Sequence, residues 1–286
     1  MATTLFTEHM RTRMPAVDAD ESTYPPAFAA IADLLLNHAT LHVGSVEHRF
    51  TEIEFYFKGR KHVDKFTHGD PMQKKFGHWY FHRTGGEYRS GTYKGLDIAF
   101  GGDDAPGGIL IRGIERLAPP VTLIDGPCMV VDHMLALTQS PSIPDLVAKF
   151  DLTIDPAKEG TSPLYVTHHE AGHGKTVYES PRVGLTLKRA NTPDRHRFIA
   201  RNYRFLSEPE RIKKGKLHLI VALHRKGLSP TQIAAVTATK PSVIKGYIDA
   251  YEEGRAKEPA EYSSDLSTGD TCGLFGACEK LHATTA

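Results

Sequence analysis

The chain is poor in cysteine: Cys128, Cys272 and Cys278 are the three among 286 residues, and no two form a C-x-x-C pair. This excludes a disulfide framework and a cysteine-paired metal site, and it fits a reducing compartment, so a cytoplasmic protein is expected. Long apolar runs are also missing. None approaches the roughly 20 residues of a membrane span, and the first residues lack the basic-then-apolar order of a signal peptide, so no membrane association is expected. An overall charge excess is nearly absent, at +1, yet the charges are unevenly placed. Residues 182–257 carry 17 Lys and Arg against 6 Asp and Glu, whereas residues 1–181 carry 17 against 23. The C-terminal third is thus the basic surface, of the kind that suits nucleic acid.

What is present concentrates between Phe50 and Gly101. Ile53, Phe55 and Phe57 alternate with Glu52, Glu54 and Tyr56, which predicts a strand with Glu54 and Tyr56 side by side on its non-aliphatic face. A carboxylate beside a phenol suits general-base work on a flat ring. Lys58, Arg60, Lys61, Lys65, Lys74, Lys75, Arg83, Arg89 and Lys94 follow, against Asp64, Asp70 and Glu87, again favouring a polyanionic partner. Asp97 is a carboxylate inside an apolar strand, a place where such groups need a partner. Trp79, Tyr80 and Phe81 read as core, and His62, His68, His78 and His82 by default as surface histidines.

Along the chain, residues 1–24 are polar and aperiodic, predicting a flexible arm. Pro25 and Pro26 open an amphipathic helix through Phe28, Ile31 and Leu34–Leu36. Strands are predicted over 41–57, 76–81, 88–100 and 109–114, and a helix over 129–137. Further strands are expected at 164–166, 182–185, 197–200 and 203–207, giving an α+β fold of mostly antiparallel strands with peripheral helices. From Ile212 the pattern turns helical. Leu217–Lys226, a short helix capped by Ser229-Pro230, and Pro241–Tyr251 have the layout of a helix-turn-helix, although a plain three-helix cap gives similar spacing. Lys240, Ser242 and Lys245 start its last helix, where phosphates and base edges would be met. The expected division is an arm to 24, a core over 25–207, a helix-turn-helix over 208–257 and a disordered tail over 258–286.

His169-Glu170-Ala171-Gly172-His173 spells the H-E-x-x-H of zinc metalloproteases, which works on a helix, where both histidines share a face. Gly172 and Gly174 predict a solvated loop instead, in which His168, His169 and His173 bind metal only incidentally. Gly174-Lys175-Thr176 lacks the first glycine of a phosphate-binding loop, since position 169 is His169.

Glu54-Phe55-Tyr56, the Gly-Thr-Tyr-Lys-Gly run at 91–95, Ile109-Leu110-Ile111-Arg112-Gly113, Gly126-Pro127, Pro181-Arg182-Val183-Gly184 and Arg197-Phe198 occur in an order that resembles the alkyladenine (3-methyladenine) DNA glycosylase family, over about residues 44–207. The resemblance implies a single α+β domain that flips a nucleotide from duplex DNA and hydrolyses its base–sugar bond without a metal or other cofactor. It makes Glu54 the general base for water, and Tyr56 and His68 (His62 being the second candidate) the residues that stack on the base. Where the family has an intercalating tyrosine, this chain has Lys94 or Tyr93, according to the alignment. Where it has a pocket asparagine, Gly101 or Asp97 stands. Smaller, more polar linings imply a bulkier, hydrophilic base, such as the glucosylated hydroxymethylcytosine of some phages, with Asp97 binding the base or assisting the water and Arg182 among the DNA contacts. The expected function is therefore a monofunctional DNA glycosylase acting on double-stranded DNA with a modified base, in antiviral defence or in repair of alkylated purines. No obligate protein partner is expected. The alternatives are a non-catalytic DNA-binding regulator with a glycosylase-like core, and a zinc hydrolase using His169, Glu170 and His173.

Overall fold

The computed structural model describes residues 5–155, 162–188 and 195–283. The chain divides into two compact units, one of Met1–Val63 and Thr67–Val177, the other of Asp64–Phe66 and Tyr178–Ala286. The division thus falls at Tyr178 rather than after residue 207, and a three-residue piece of the loop following the Glu54 strand belongs to the second unit.

In the first unit, helix α1 (Phe6–Arg11) buries Phe6 and Met10. The Thr7 amide and hydroxyl donate to the Asp155 carboxylate at 3.1 and 2.5 Å. Within the stretch expected to be a flexible arm, this helix is therefore pinned by apolar burial and a paired carboxylate. Helix α2 (Tyr24–His38) starts on two prolines, which suit a first turn because its amides lack intrahelical acceptors. It buries Phe28, Ile31, Leu34 and Leu35 and ends where Ala39 becomes extended.

Strands β1 (Ala39–Val43) and β2 (Val46–Phe57) form a hairpin whose turn uses Gly44 at a φ of 57°. Next come β3 (His78–Phe81), the small β4 (Arg83–Thr84) and β5 (Glu87–Tyr88) hairpin, β6 (Leu96–Ala99), β7 (Gly107–Arg116) and β8 (Leu123–Asp125). Helices α3 (Pro127–Leu137) and α4 (Ile143–Val147) and strand β9 (Leu164–His168) complete the unit. The main sheet runs β9-β1-β2-β7-β6-β3, every pairing antiparallel, with β8 also on β7. One face is apolar: Phe28 of α2 stacks on Phe55 of β2 at 4.6 Å, and Ile53, Ile98, Ile109 and Ile111 are fully buried. The other face carries the polar row described below. The fold is α+β with a mostly antiparallel sheet, in agreement with the alternation read from the sequence.

In the second unit, β10 (Tyr178–Ser180) pairs antiparallel with β11 (Arg204–Leu206). Two expected strands are corrected: residues 182–185 are turn and coil, with Gly184 at a φ of 80°, and residues 195–199 form helix α5 (Arg195–Ile199). Helices α6 (Lys216–Arg225), α7 (Pro230–Thr237) and α8 (Pro241–Gly254) enclose Leu219, Leu223, Ile233 and Ile244. Ser229 and Gln232 form a reciprocal capping box on α7. The tail is corrected too. Residues 268–283 form helix α9 (Thr268–Ala283), which buries Cys272, Leu274, Phe275 and Cys278. It lies against α8 so closely that a Cβ on Gly276 would stand 2.0 Å from the Tyr251 carbonyl oxygen, and one on Gly254 2.0 Å from that of Gly273. Glycines that lower helix propensity here permit backbone contact between helices. Among the described residues no helix is long and apolar enough to cross a membrane.

Candidate active site

Antiparallel register decides which side chains meet, because directly paired residues project to the same face. Glu54 pairs with Leu110, and Leu110 with Asp97, which in turn pairs with Tyr80. Glu54, Leu110, Asp97 and Tyr80 therefore form one rung across four strands. On the neighbouring rung Tyr56 pairs with Gly108, and Gly108 with Ala99. Alternating antiparallel spacings of about 5.5 and 4.5 Å place the Glu54 and Asp97 Cα atoms about 10 Å apart.

Both carboxylates are buried, Glu54 at 0% and Asp97 at 2% exposure. Burial of a charge requires partners, and both have them. Tyr56 donates its hydroxyl to Glu54 Oε2 at 2.8 Å, and Arg112 Nε stands 3.4 Å from Glu54 Oε1 and 2.5 Å from Glu52 Oε1. A bulge in β2 at Thr51 and Glu52 brings Glu52 to the same guanidinium. Burial opposes the charge on Arg112, but Glu54 and Glu52 outweigh it and its pKa is raised. Tyr56 is partly exposed, so the pair has one open edge.

Asp97 is held from the other side. His82 Nε2 lies 2.7 Å from Asp97 Oδ1, and Gln73 Nε2 donates to Asp97 Oδ2 at 3.1 Å. Gly108 makes room, since a Cβ there would stand 2.2 Å from Asp97 Oδ2. The Gln73 loop is itself anchored: Gln73 Oε1 accepts the Gly69 amide at 2.9 Å, and Asp70 caps the turn at Pro71–Lys74 while gripping Arg83 at 2.6 and 3.1 Å. That loop sets the His68 ring 4.4 Å from the His82 ring, with His68 Nδ1 3.3 Å from the Tyr80 hydroxyl. Desolvation by the surrounding protein, and then the neighbouring His82, lower the His68 pKa, while the residue as a whole is exposed. Burial pushes the Tyr80 phenol up to about 12. The face thus offers buried carboxylates, a phenol and two adjoining imidazoles.

The structure places Glu54, Tyr56 and Asp97 on one sheet face, with His68 on the Asp97 side beside His82 and Tyr80. His62 belongs to the core, buried among Tyr24, Phe28 and Phe57 with Nδ1 3.0 Å from the Phe57 carbonyl oxygen. Tyr93 stands out at 76% exposure on the short turn Gly91–Tyr93, and Lys94 is ion-paired with Asp132 of α3. Gly101 lies against the Ala105 and Gln73 carbonyl oxygens, which a Cβ would meet at 2.2 and 2.4 Å, so it permits close backbone approach at that point. A cavity of about 500 Å³ is lined by Tyr88, Arg89, Lys94, Leu135 and Ile143. Sequence reasoning missed Glu52, Gln73, His82 and Arg112. The available signal was Arg112 itself, a cation inside an apolar strand that has to find an acid.

Arg182, expected on the DNA surface, is instead 1% exposed: its Nη1 meets Asp64 Oδ2 at 2.5 Å and its Nη2 the Phe198 carbonyl oxygen at 3.3 Å, all within the second unit. Lys240, Ser242 and Lys245 are exposed at the start of α8, with Lys245 paired to Asp249 at 2.6 Å. The 169–173 run is turn and coil, as the glycines predict, with the His169 and His173 amides bonded to the carbonyls of His38 and Asn37. Among the described residues no three His, Cys, Asp or Glu side chains group as metal ligands.

No family model matches the chain. The uncharacterized protein L759 of Acanthamoeba polyphaga mimivirus is 31% identical over an alignment of 175 residues that covers 56% of this chain and 79% of the viral protein.

Proposed function

For this chain, which belongs to the family of the mimivirus protein L759, we propose the activity of a DNA glycosylase that extrudes a modified base from duplex DNA and hydrolyses its N-glycosidic bond. The observation that carries this reading is the Glu54 carboxylate, bound by the Tyr56 hydroxyl at 2.8 Å on the same sheet face as Asp97. Loss of a base leaves oxocarbenium character on the sugar, which a carboxylate stabilises and supplies with an activated water. Asp97 stands on the same rung as Glu54, on the far side of Leu110, so the sheet face presents two carboxylates. Tyr56 and His68 supply rings for stacking, Tyr93 projects into solvent as a wedge, and Lys94 lines a cavity that Glu54, Tyr56, Asp97 and His68 do not line. The exposed Lys240, Ser242 and Lys245 of the α7–α8 pair add duplex contacts.

The substrate class that fits these polar groups is a bulky hydrophilic base, with glucosylated hydroxymethylcytosine as the leading example and antiviral defence as its setting; an alkylated purine in repair is the alternative. Incubation with duplexes carrying methylated purines, deaminated bases or glucosylated hydroxymethylcytosine, followed by detection of abasic sites, tests both activity and class. Release of methylated purines alone would overturn the bulky-base assignment. The complete burial of Glu54 favours a second reading, a DNA-binding regulator with a glycosylase-like core, for which duplex binding without release of any base is the expected result.

A further inference from the structure

We infer that His82, aligned by Asp97, is the proton donor to the departing base. The inference rests on the excision reading and assigns its second half-reaction, the one that Glu54 leaves open.

The geometry is that of an oriented imidazole. The His82 amide donates to the Gly95 carbonyl at 2.9 Å, continuing the β3–β6 pairing beyond Phe81 and Leu96. Its Nε2 lies 2.7 Å from Asp97 Oδ1, and Asp97 is fixed in turn by Gln73 at 3.1 Å. Two glycines clear the space for this pair. A Cβ on Gly95 would stand 2.5 Å from His82 Nδ1, and one on Gly108 2.2 Å from Asp97 Oδ2. Space is reserved here for one imidazole and one carboxylate, on the face that also carries Glu54. The groups around the pair are His68 and Asp70 on the preceding loop, Tyr80 on β3, and Arg83 and Arg89 beyond it.

A carboxylate that accepts from Nε2–H fixes the tautomer and leaves Nδ1 to exchange protons with a bound molecule. No protein hydrogen bond occupies Nδ1 among the described residues. Excision needs one group to take a proton and another to give one. The C1′–N bond breaks with its electron pair passing to the base, and the His82 Nδ1–H proton passes to the base's nitrogen or carbonyl oxygen. The water oxygen bonds to C1′, and its proton passes to Glu54. The proton gained by Glu54 and the proton lost by His82 balance, and solvent returns both groups to their starting forms. Asp97, whose two oxygens are engaged by His82 and Gln73, acts as a positioning residue.

The test compares single-turnover base release by the full chain with that of His82→Gln and Asp97→Asn, on the neutral base that the wild type releases and on the same base carrying an electron-withdrawing ring substituent. Loss of the proton donor is expected to slow release of the unsubstituted base about 100-fold, and the substituent, which stabilises the base as it departs unprotonated, to restore much of that loss. A purely structural role would slow both bases equally. Nitrogen-15 shifts of the His82 ring, with Nε2 protonated in the wild type and altered in Asp97→Asn, report the alignment independently of turnover. A His82→Gln protein that is folded and as fast as wild type overturns the inference while leaving excision intact. A wild type that releases no base from any duplex overturns the excision reading, and the inference with it.

Discussion

Glu54 and Asp97 each pair with Leu110, from opposite sides, so that one leucine of β7 separates two buried carboxylates on a single rung of the sheet. Each acid has its own cationic or hydrogen-bonding escort, Arg112 and Tyr56 for Glu54, His82 and Gln73 for Asp97. The two can therefore be perturbed separately.

Removing Arg112 leaves Glu52 and Glu54 as buried acids without their shared cation. Arg112→Met is expected to cost about 3–5 kcal/mol, since a surviving buried charge without its partner is strongly destabilising. Urea unfolding measures it. A midpoint within error of wild type would mean that the three groups are not coupled as described.

Gly108→Ala places a methyl group where Asp97 Oδ2 and Gln73 Nε2 sit, at 2.2 and 2.7 Å. The expected result is a loss of about 1–3 kcal/mol from overpacking, with base release falling further than stability does, because the displaced carboxylate no longer aligns His82. Thermal unfolding and excision rates on one preparation separate the two effects.

Arg182→Ala is expected to destabilise the protein by about 3–5 kcal/mol through the stranded Asp64 carboxylate. It should leave the salt dependence of DNA binding unchanged. Lys240→Ala is expected to do the opposite: stability within about 0.5 kcal/mol of wild type, and a slope of log affinity against log salt shallower by about one. Fluorescence anisotropy over a salt series reads both.

His48 gives a pH dependence with a defined sign. Burial first, and then His133 at 2.9 Å, depress its pKa from 6.5 to about 4. The unfolded chain therefore binds more protons than the folded one between these values, so stability rises with pH through that window and is lost as the pH falls from 6.5 towards 4. A His48→Gln protein should lose up to about 3 kcal/mol less than wild type over that interval. Parallel acid titrations of unfolding free energy that do not diverge would contradict this.

The elements that the sequence discloses are those set by local periodicity. The alternation through Ile53, Phe55 and Phe57 predicts β2 and places Glu54 and Tyr56 together, and the two prolines mark the start of α2. What stays hidden depends on register and on distant partners. His82 reads as a surface histidine until β3 is paired with β6 and Asp97 is seen on the adjoining rung. Arg182 reads as a DNA contact because nothing nearby shows that Asp64, 118 positions earlier, neutralises it. Helix α9 reads as disordered because Ser263, Ser264, Thr268 and Gly269 give the tail a polar, turn-forming start, whereas Gly273 and Gly276 bring its backbone against Gly254 and Tyr251.

The role of Glu54 as the base that activates water is tested by comparing wild type with Glu54→Gln on the same modified duplex, measuring affinity by anisotropy and abasic-site formation in a single turnover. Affinity is expected within a few-fold of wild type and release slowed by about 100-fold or more, since the amide cannot take a proton from water. Release that persists at the wild-type rate in Glu54→Gln would contradict it.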